Sequence, residues 1–263
     1  MKPDYRRACK DVILGLVKWR IWGRLGWQEI RRRYRRTVLG PLWFTFSLGI
    51  FVAGLGLVWA PLFHTNLHDY LPFVTTGMIC WTFVASIINE GCLTYTQSES
   101  LIKQLNFPLS VLNWMMVWRN IIVLLHNLVI AVVVLLVLQI PPTWATVLFI
   151  PGVVIVALNG IWISMLLGMI SARFRDVPQL VANLVQVLMF VTPVFWFSGQ
   201  LGARAALVNY NALYHMINVV RAPLLGQMPT LLNYEVDAAV TILGFAMTLF
   251  FYARFRRRIA YWL

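Results

Sequence analysis

Charge is scarce in this chain. Only 12% of its 263 residues are Asp, Glu, Lys or Arg, while 60% are hydrophobic, and mean hydropathy is +0.74. Soluble domains carry about 25% charged residues, so lipid rather than water is the expected solvent. Acid is scarcer still, with nine Asp and Glu against 22 Lys and Arg. None of the nine falls at the centre of an apolar run. Ion-coupled carriers commonly place an acid near the bilayer midplane, so proton or sodium coupling loses support. The four lysines, Lys2, Lys10, Lys18 and Lys103, each lack a preceding glycine, which excludes a GxxxxGK[ST] phosphate loop. No HExxH motif or serine-centred nucleophile elbow occurs, so this is not expected to be an enzyme. Cys9, Cys80 and Cys92 form no CxxC pair and read as small packed hydrophobes. The N-terminus lacks a short apolar core with a cleavage site, so its charged segment is expected in the mature protein.

What the chain does have is basic charge in restricted places. Twelve Lys or Arg lie within residues 1–36, ending in Arg31-Arg32-Arg33-Tyr34-Arg35-Arg36. Apolar runs follow, and a span needs about 20 such residues to cross about 30 Å of hydrocarbon. Six spans are expected, near Val38–Phe63, Leu71–Asn89, Arg119–Leu138, Ala145–Ile170, Leu180–Phe197 and Ala238–Phe255, with Pro141-Pro142 dividing the third from the fourth. Six crossings put both termini on one side. Nineteen basic residues share that side: the N-terminal twelve, Lys103, Arg173, Arg175 and four from Arg254 to Arg258. Short Lys- and Arg-rich loops stay in the cytoplasm, so both termini are expected there. The net charge of +13 is thereby assigned to anionic lipid headgroups, with no nucleic acid as partner.

Residues 1–36 cannot span, because charges interrupt them. Val12, Leu16, Trp19, Trp27 and Ile30 fall roughly along one side of a helix, which predicts an amphipathic helix at the interface, bent at Gly23 and Gly26. Between spans five and six, Ala212–Gly226 is apolar but too short to cross, and predicts a re-entrant pair of short helices near the outer face. Arg119 and His126 are the only ionisable groups between Gln104 and Ala172. Arg119 is expected to snorkel to the cytoplasmic headgroups, with an anionic substrate as the other reading. His126 suits a hydrogen bond between helices as readily as a substrate contact. The aromatic residues fit interface belts or stacking on sugar rings.

Arg33-Tyr34-Arg35-Arg36-Thr37-Val38-Leu39-Gly40-Pro41-Leu42-Trp43 resembles the approach to the first span in permeases of bacterial polysaccharide ABC exporters, the O-antigen, capsule and teichoic-acid transporters. In order along the chain, further matches are Asn106-Phe107-Pro108, Arg173-Phe174-Arg175-Asp176-Val177, Thr192-Pro193-Val194-Phe195-Trp196, Asn211-Ala212-Leu213-Tyr214-His215 and Arg221-Ala222-Pro223-Leu224. Ala212 departs from the family, which usually has Pro after Asn.

The resemblance implies an all-α polytopic membrane protein of the inner membrane, with the interface helix at 1–36 and six spans over 37–263. It implies a homodimer working with two copies of a separate ABC ATPase, which binds the ATP and Mg that this chain does not. The transported cargo would be a lipid-linked glycan, often on undecaprenyl diphosphate. Arg31, Arg32, Arg33, Tyr34, Arg35 and Arg36 would receive the diphosphate. Trp43, Phe44, Trp81, Phe195 and Trp196 would line the glycan path. A coupling helix at about 96–109 would meet the ATPase through Ser98, Glu99, Leu101, Lys103, Phe107 and Pro108, with Ser98 or Ser100 as its cap and Pro108 as its stop. Tyr210, Tyr214, His215, Arg221 and Pro223, within 198–235, would form the external gate. O-antigen export is the favoured function; capsule or teichoic-acid export, and export of a small lipid or drug, are the alternatives. A secondary transporter is more remote. A membrane transferase would have to rely on His64, His68 and Asp69.

Overall fold

The computed structural model describes residues 4–35, 42–105 and 107–263, leaving aside the side chains of Tyr34 and Phe44. All regular structure among these residues is helical. Two helices come first, α1 (Tyr5–Val17) and α2 (Trp19–Tyr34). They are followed by α3 (Leu42–Leu62), α4 (Leu67–Leu93), the short α5 (Glu99–Gln104) and α6 (Ser110–Val137). A 3-10 turn at Trp144–Leu148 leads into α7 (Phe149–Arg173) and then α8 (Val177–Val191). The remainder is an irregular 3-10 segment (Ser198–Tyr210), α9 (Ala212–Leu224), α10 (Leu231–Phe255) and a terminal turn, α11 (Ile259–Trp262). Five of these, α3, α4, α6, α7 and α10, are long and apolar enough to cross a bilayer. The protein is a multi-pass, all-α membrane protein.

The central helix is α4, buried on most of its surface from Tyr70 to Cys92 and packed on α3, α6 and α7. Apolar side chains gain little by leaving lipid for one another, so helices in a membrane associate through close packing and small residues. Gly77 shows how close. A Cβ there would fall on the carbonyl oxygen of Val194, so only glycine lets the chain after α8 press against α4.

Connections sort to two ends. At one end, the amide of Asp4 donates to the carbonyl of Ala253 (3.1 Å), Arg175 Nη2 donates to the carbonyl of Leu263 (3.4 Å), and α5 sits between α4 and α6. This is the basic end. At the other, His68 meets the carbonyl of Leu138 (3.1 Å), and the Thr143 hydroxyl donates to the carbonyl of Gly226 (2.9 Å). The α3–α4, α6–α7 and α9–α10 connections therefore share the far end.

Several boundaries differ from the sequence reading. The N-terminal helix breaks at Lys18 (φ −78°, ψ 38°), not at Gly23 or Gly26, both of which lie inside α2. Gly26 is buried against Met115 and Trp118 of α6. Val12 and Ile30 do turn inward, but Leu16, Trp19 and Trp27 are exposed; the buried face is Ala8, Asp11, Gly15, Gly26 and Ile30. Trp22 fastens α2 by stacking on Trp114 (6.0 Å between centroids) and meeting Trp118 edge-on (5.9 Å). The third span starts at Ser110, nine residues before Arg119, so Arg119 lies inside a helix rather than at its headgroup end.

The fifth span is also shorter than expected. α8 has 15 residues, about 22 Å at 1.5 Å each, and ends at Thr192-Pro193. Backbone leaving a helix at membrane depth needs protein partners, and it finds them. Arg221 Nη1 donates to the carbonyl of Pro193 (2.7 Å), the Tyr70 hydroxyl to the carbonyl of Phe195 (2.7 Å), and Asn211 Nδ2 to the Thr192 hydroxyl (2.9 Å). Beyond it lies a 3-10 segment kinked at Gly202 (φ 54°), and Ala212–Gly226, expected as a pair of short helices, forms the single helix α9. Asn211 caps α9, its Oδ1 accepting from the amide of Leu213 (3.0 Å), so the turn forms with Ala212 in place of proline.

Candidate functional site

The basic end holds two concave sites divided by α2. The arginine run is helical to Tyr34, and consecutive helical residues point about 100° apart, so its members separate. Arg31, Arg32 and Arg35 line a cleft of about 700 Å³ together with Gln28, Gln97, Ser100 and Leu101. This cleft lies between α2 and the turn that carries α5. Arg33 points elsewhere, to the mouth of a cavity of about 450 Å³ enclosed by α3, α4 and α6. Its walls mix apolar residues with Ser47, Thr82, Ser86, Glu90, Asn120 and Asn127.

An ion cluster joins the two sites. Arg119 is only 5% exposed, and its guanidinium bridges Glu29 of α2 and Glu90 of α4 (2.7 Å to Glu90). Glu90 also accepts from Asn120 Nδ2 (2.8 Å) and faces Arg33 Nη1 at 3.5 Å. Two carboxylates and two guanidiniums make the group neutral. Arg119 therefore does not snorkel and does not wait for an anionic substrate; carboxylates from two other helices already satisfy it. His126 makes no contact between helices through Nδ1, which meets the carbonyl of Ile122 in its own helix (2.7 Å).

A second node lies where α1 meets the bundle. Asp11 is 3% exposed and accepts from the amides of Leu109 (3.3 Å) and Ser110 (3.1 Å), the hydroxyl of Tyr252 (3.0 Å) and Arg256 Nε (2.8 Å). The two amides are the free donors at the start of α6, whose own cap residue is Leu109, so Asp11 caps α6 from another helix. Gly15 lets this approach occur, because a Cβ there would fall on the Ser110 hydroxyl. Sequence reading missed Asp11; its one signal was an acid flanked by Lys10 in a segment with six basic residues and only one other acid, Asp4, in the first twenty.

The coupling segment is smaller than expected. Within 96–109 only Glu99–Gln104 is α-helical; Ser98 occupies the cap position without a side-chain bond, and the chain becomes extended at Leu105, before Pro108. Pro108 is buried ahead of α6 instead of stopping α5. Lys103 Nζ donates to Glu99 (2.6 Å), and this bond together with the adjacent ammonium charge holds the Glu99 carboxyl below its ordinary pKa. Leu101 is half-buried beside the arginine cleft and Phe107 is half-buried.

The aromatics divide. Trp43 is 60% exposed on the first turn of α3. Trp81 is buried in α4, and Phe195 is buried against Trp59 (5.6 Å) and Phe190 (5.8 Å), so in this structure both are packing residues and not the lining of a path. Trp196 is half-buried and donates from Nε1 to the carbonyl of Phe190 (3.1 Å). The side chain of Phe44, that of Tyr34 and the whole of Arg36 lie outside the described residues, as does Asn106.

At the far end, Tyr210 is exposed and Tyr214 half-buried. His215 is fully buried between Asn233 Oδ1 (2.7 Å) and the carbonyl of Asn209 (2.9 Å). Arg221 is 5% exposed, lies over the Phe73 ring at 4.4 Å and reaches Asn218 Oδ1 (3.3 Å) besides Pro193. Pro223 is buried in α9. His64, His68 and Asp69 form an exposed turn, and no cluster of three metal-ligating side chains exists among the described residues.

The chain is similar to an O-antigen export system permease protein of Myxococcus xanthus, 28% identical over 174 residues that cover 64% of this chain and 65% of that one. The chain thus spans just under two thirds of that relative's length. A protein of the same name from Klebsiella pneumoniae is 23% identical over 227 residues, covering 84% and 85%. The family model described as ABC-2 type transporter matches residues 22–225, from the first turn of α2 to the end of α9. With most of its length so matched, the chain belongs to the ABC-2 type transporter family.

Proposed function

We propose that this chain is the membrane permease of an ATP-driven exporter that moves a lipid-linked polysaccharide, O-antigen foremost, across the bacterial inner membrane. The observation that carries this is the pairing, at the basic end, of a six-residue helix, exposed on one side, with an arginine-lined cleft, in an ABC-2 chain that has no phosphate loop of its own. The names of the relatives supply the cargo class.

Two copies of the chain work with two ATPase subunits, which carry the ATP and Mg. α5 is the surface the ATPase presses. A push there is delivered through residues 105–109 to the start of α6, and Asp11 passes it to α1 and α10. The basic end faces the cytoplasm by the positive-inside rule. The lipid diphosphate arrives from that side, where arginines can bind it by charge-assisted hydrogen bonds. α9 and the carbonyls it shelters face the exit. The apolar outer faces of α3 and α8, with Phe46, Ile50, Val187 and Phe190 exposed, are where two copies meet.

Deleting the gene should leave lipid-linked glycan accumulating on the cytoplasmic leaflet while cell-surface glycan falls below a tenth of normal, with recovery on re-expression. Surface glycan that stays normal without the protein would overturn the export function. Replacing Arg35 and Arg36 with Gln should impair export while the ATPase still assembles.

A further inference from the structure

We infer that the cavity enclosed by α3, α4 and α6 is the loading site for the phosphate end of a lipid-linked sugar, with Arg33 as its phosphate ligand and Glu90 as the resident anion that the phosphate displaces. This rests on the export function proposed above and says which arginine of the run meets the cargo inside the membrane.

The first ground is the division of the arginines. Arg31, Arg32 and Arg35 open to the cytoplasmic cleft; among the described arginines of the run, only Arg33 lines the cavity. The second is the unequal grip on Glu90. One oxygen, Oε2, is held by Arg119 (2.7 Å) and Asn120 (2.8 Å), whereas Oε1 meets Arg33 at 3.5 Å. The Arg33 side chain is 48% exposed, against 7% for Arg119. When a phosphate takes Arg33, Glu90 keeps its two tighter partners, and no carboxylate is left buried alone. Breaking the contacts of Arg119 instead would strand Glu29 and Glu90. The cluster therefore has one partner it can release, and that partner faces the cavity. A planar guanidinium with paired donors suits a phosphate better than a single carboxylate oxygen at 3.5 Å.

The third ground is the wall below Arg33. Thr82, Ser86 and Glu90 stand four residues apart on α4, a column about 12 Å long. Asn120 and Asn127 face it from α6. Thr82 donates to the carbonyl of Ile79 (2.9 Å), Asn120 to Glu90 (2.8 Å), and Asn127 accepts from Thr45 (3.4 Å), so the column is held in place by the protein and presents polar groups to the cavity at no cost in unpaired partners. A phosphate at Arg33 with a sugar beneath it can pair with this polar column and lay its ring faces on Leu48, Phe51, Met78, Phe83, Val123 and Leu124, which make up the rest of the wall.

The full-length chain in phosphatidylcholine nanodiscs, titrated with a radiolabelled polyprenyl phosphate, tests this. Arg33→Gln should weaken binding at least ten-fold. Ser86→Phe, which fills the cavity and removes no member of the ion cluster, should do the same at an unchanged melting temperature. Glu90→Gln, which removes the competing anion, should tighten it several-fold. Competition by equimolar phosphatidylglycerol would show a site for ordinary anionic phospholipid and overturn the substrate assignment. Wild-type binding by Arg33→Gln, with loss on replacing Arg31, Arg32 and Arg35 together, would move the site to the cytoplasmic cleft and overturn the proposal. Both results leave export itself standing, since the gene deletion judges that separately.

Discussion

Arg119 and Arg221 are both buried to 5% exposure inside the helix bundle, yet the two ends of the protein answer their charges in opposite ways. At the basic end Arg119 meets two carboxylates contributed by α2 and α4. At the far end Arg221 meets none among the described residues: its partners are the carbonyl of Pro193, the amide oxygen of Asn218 and the face of Phe73. One charge is cancelled by charge, the other by dipoles and a ring quadrupole. Charge pairing is exchangeable, because an arriving anion can replace a carboxylate. Dipole solvation is tied to one backbone shape, since Pro193 offers its carbonyl only where α8 stops. The basic end is thus built to trade partners, and the far end to hold or release a fold of the chain.

The largest effect should come from removing Arg119. Arg119→Leu leaves Glu29 without its cation and Glu90 with only Arg33 and Asn120, a loss of about 3 kcal/mol, the low end for a broken buried pair because both carboxylates keep some contact with water. Thermal unfolding in detergent should show it. Adding Glu29→Gln and Glu90→Gln to the same chain should recover most of the loss. A triple variant as unstable as the single one would mean that Arg119 acts through packing and not through charge.

Arg221→Leu should cost less, about 1–3 kcal/mol for the stranded Pro193 carbonyl. The ring contact with Phe73 would add about 0.5–2 kcal/mol. Its second signature separates it from Arg119: protease cleavage should rise after α8, near residues 192–211, and not at the basic end. Equal cleavage at both ends would erase the distinction between them.

Those two arginines also mark how far sequence alone reaches. The long apolar runs that became α3, α4, α6, α7 and α10 are legible because hydropathy is a local sum. The start of α6 was not, since Arg119 looked like the end of a span; its partners lie 29 and 90 residues away, and no local window sees them. The early end of α8 was written in Thr192-Pro193, but Val194, Phe195 and Trp196 extend the apolar run and hide it. The arginine block was visible as a block. That Arg33 leaves its neighbours and joins Glu90 follows from helical phase and from the packing of α2 on α6, which the tryptophans fix. Asp11 is the same lesson in reverse, an acid whose four partners are about 100 and 240 residues away.

The smallest expected effect concerns an ion pair on the surface of the coupling segment. Lys103 and Glu99 pair across one turn of α5, and the carboxyl is held below its ordinary pKa by that bond. A carboxyl lowered in the folded state stabilises the helix in full above its unfolded pKa. That contribution is lost as pH falls through the lower, folded value. Near neutral pH the pair is therefore intact, and only acid or salt weakens it. Lys103→Ala should return the Glu99 titration toward the ordinary carboxylate range, read by NMR on a carbon-13-labelled Glu99 carboxyl. Melting at pH 7 should barely change, because exposed pairs contribute little. Against the buried cluster above it, this pair gives the scale: the same two charge types that hold α2 to α4 and α6 when buried only trim a single turn when hydrated. A large loss of ATPase assembly on Lys103→Ala, with α5 still helical, would then have to come from contact with the partner and not from the helix, which would make Lys103 part of the docking surface.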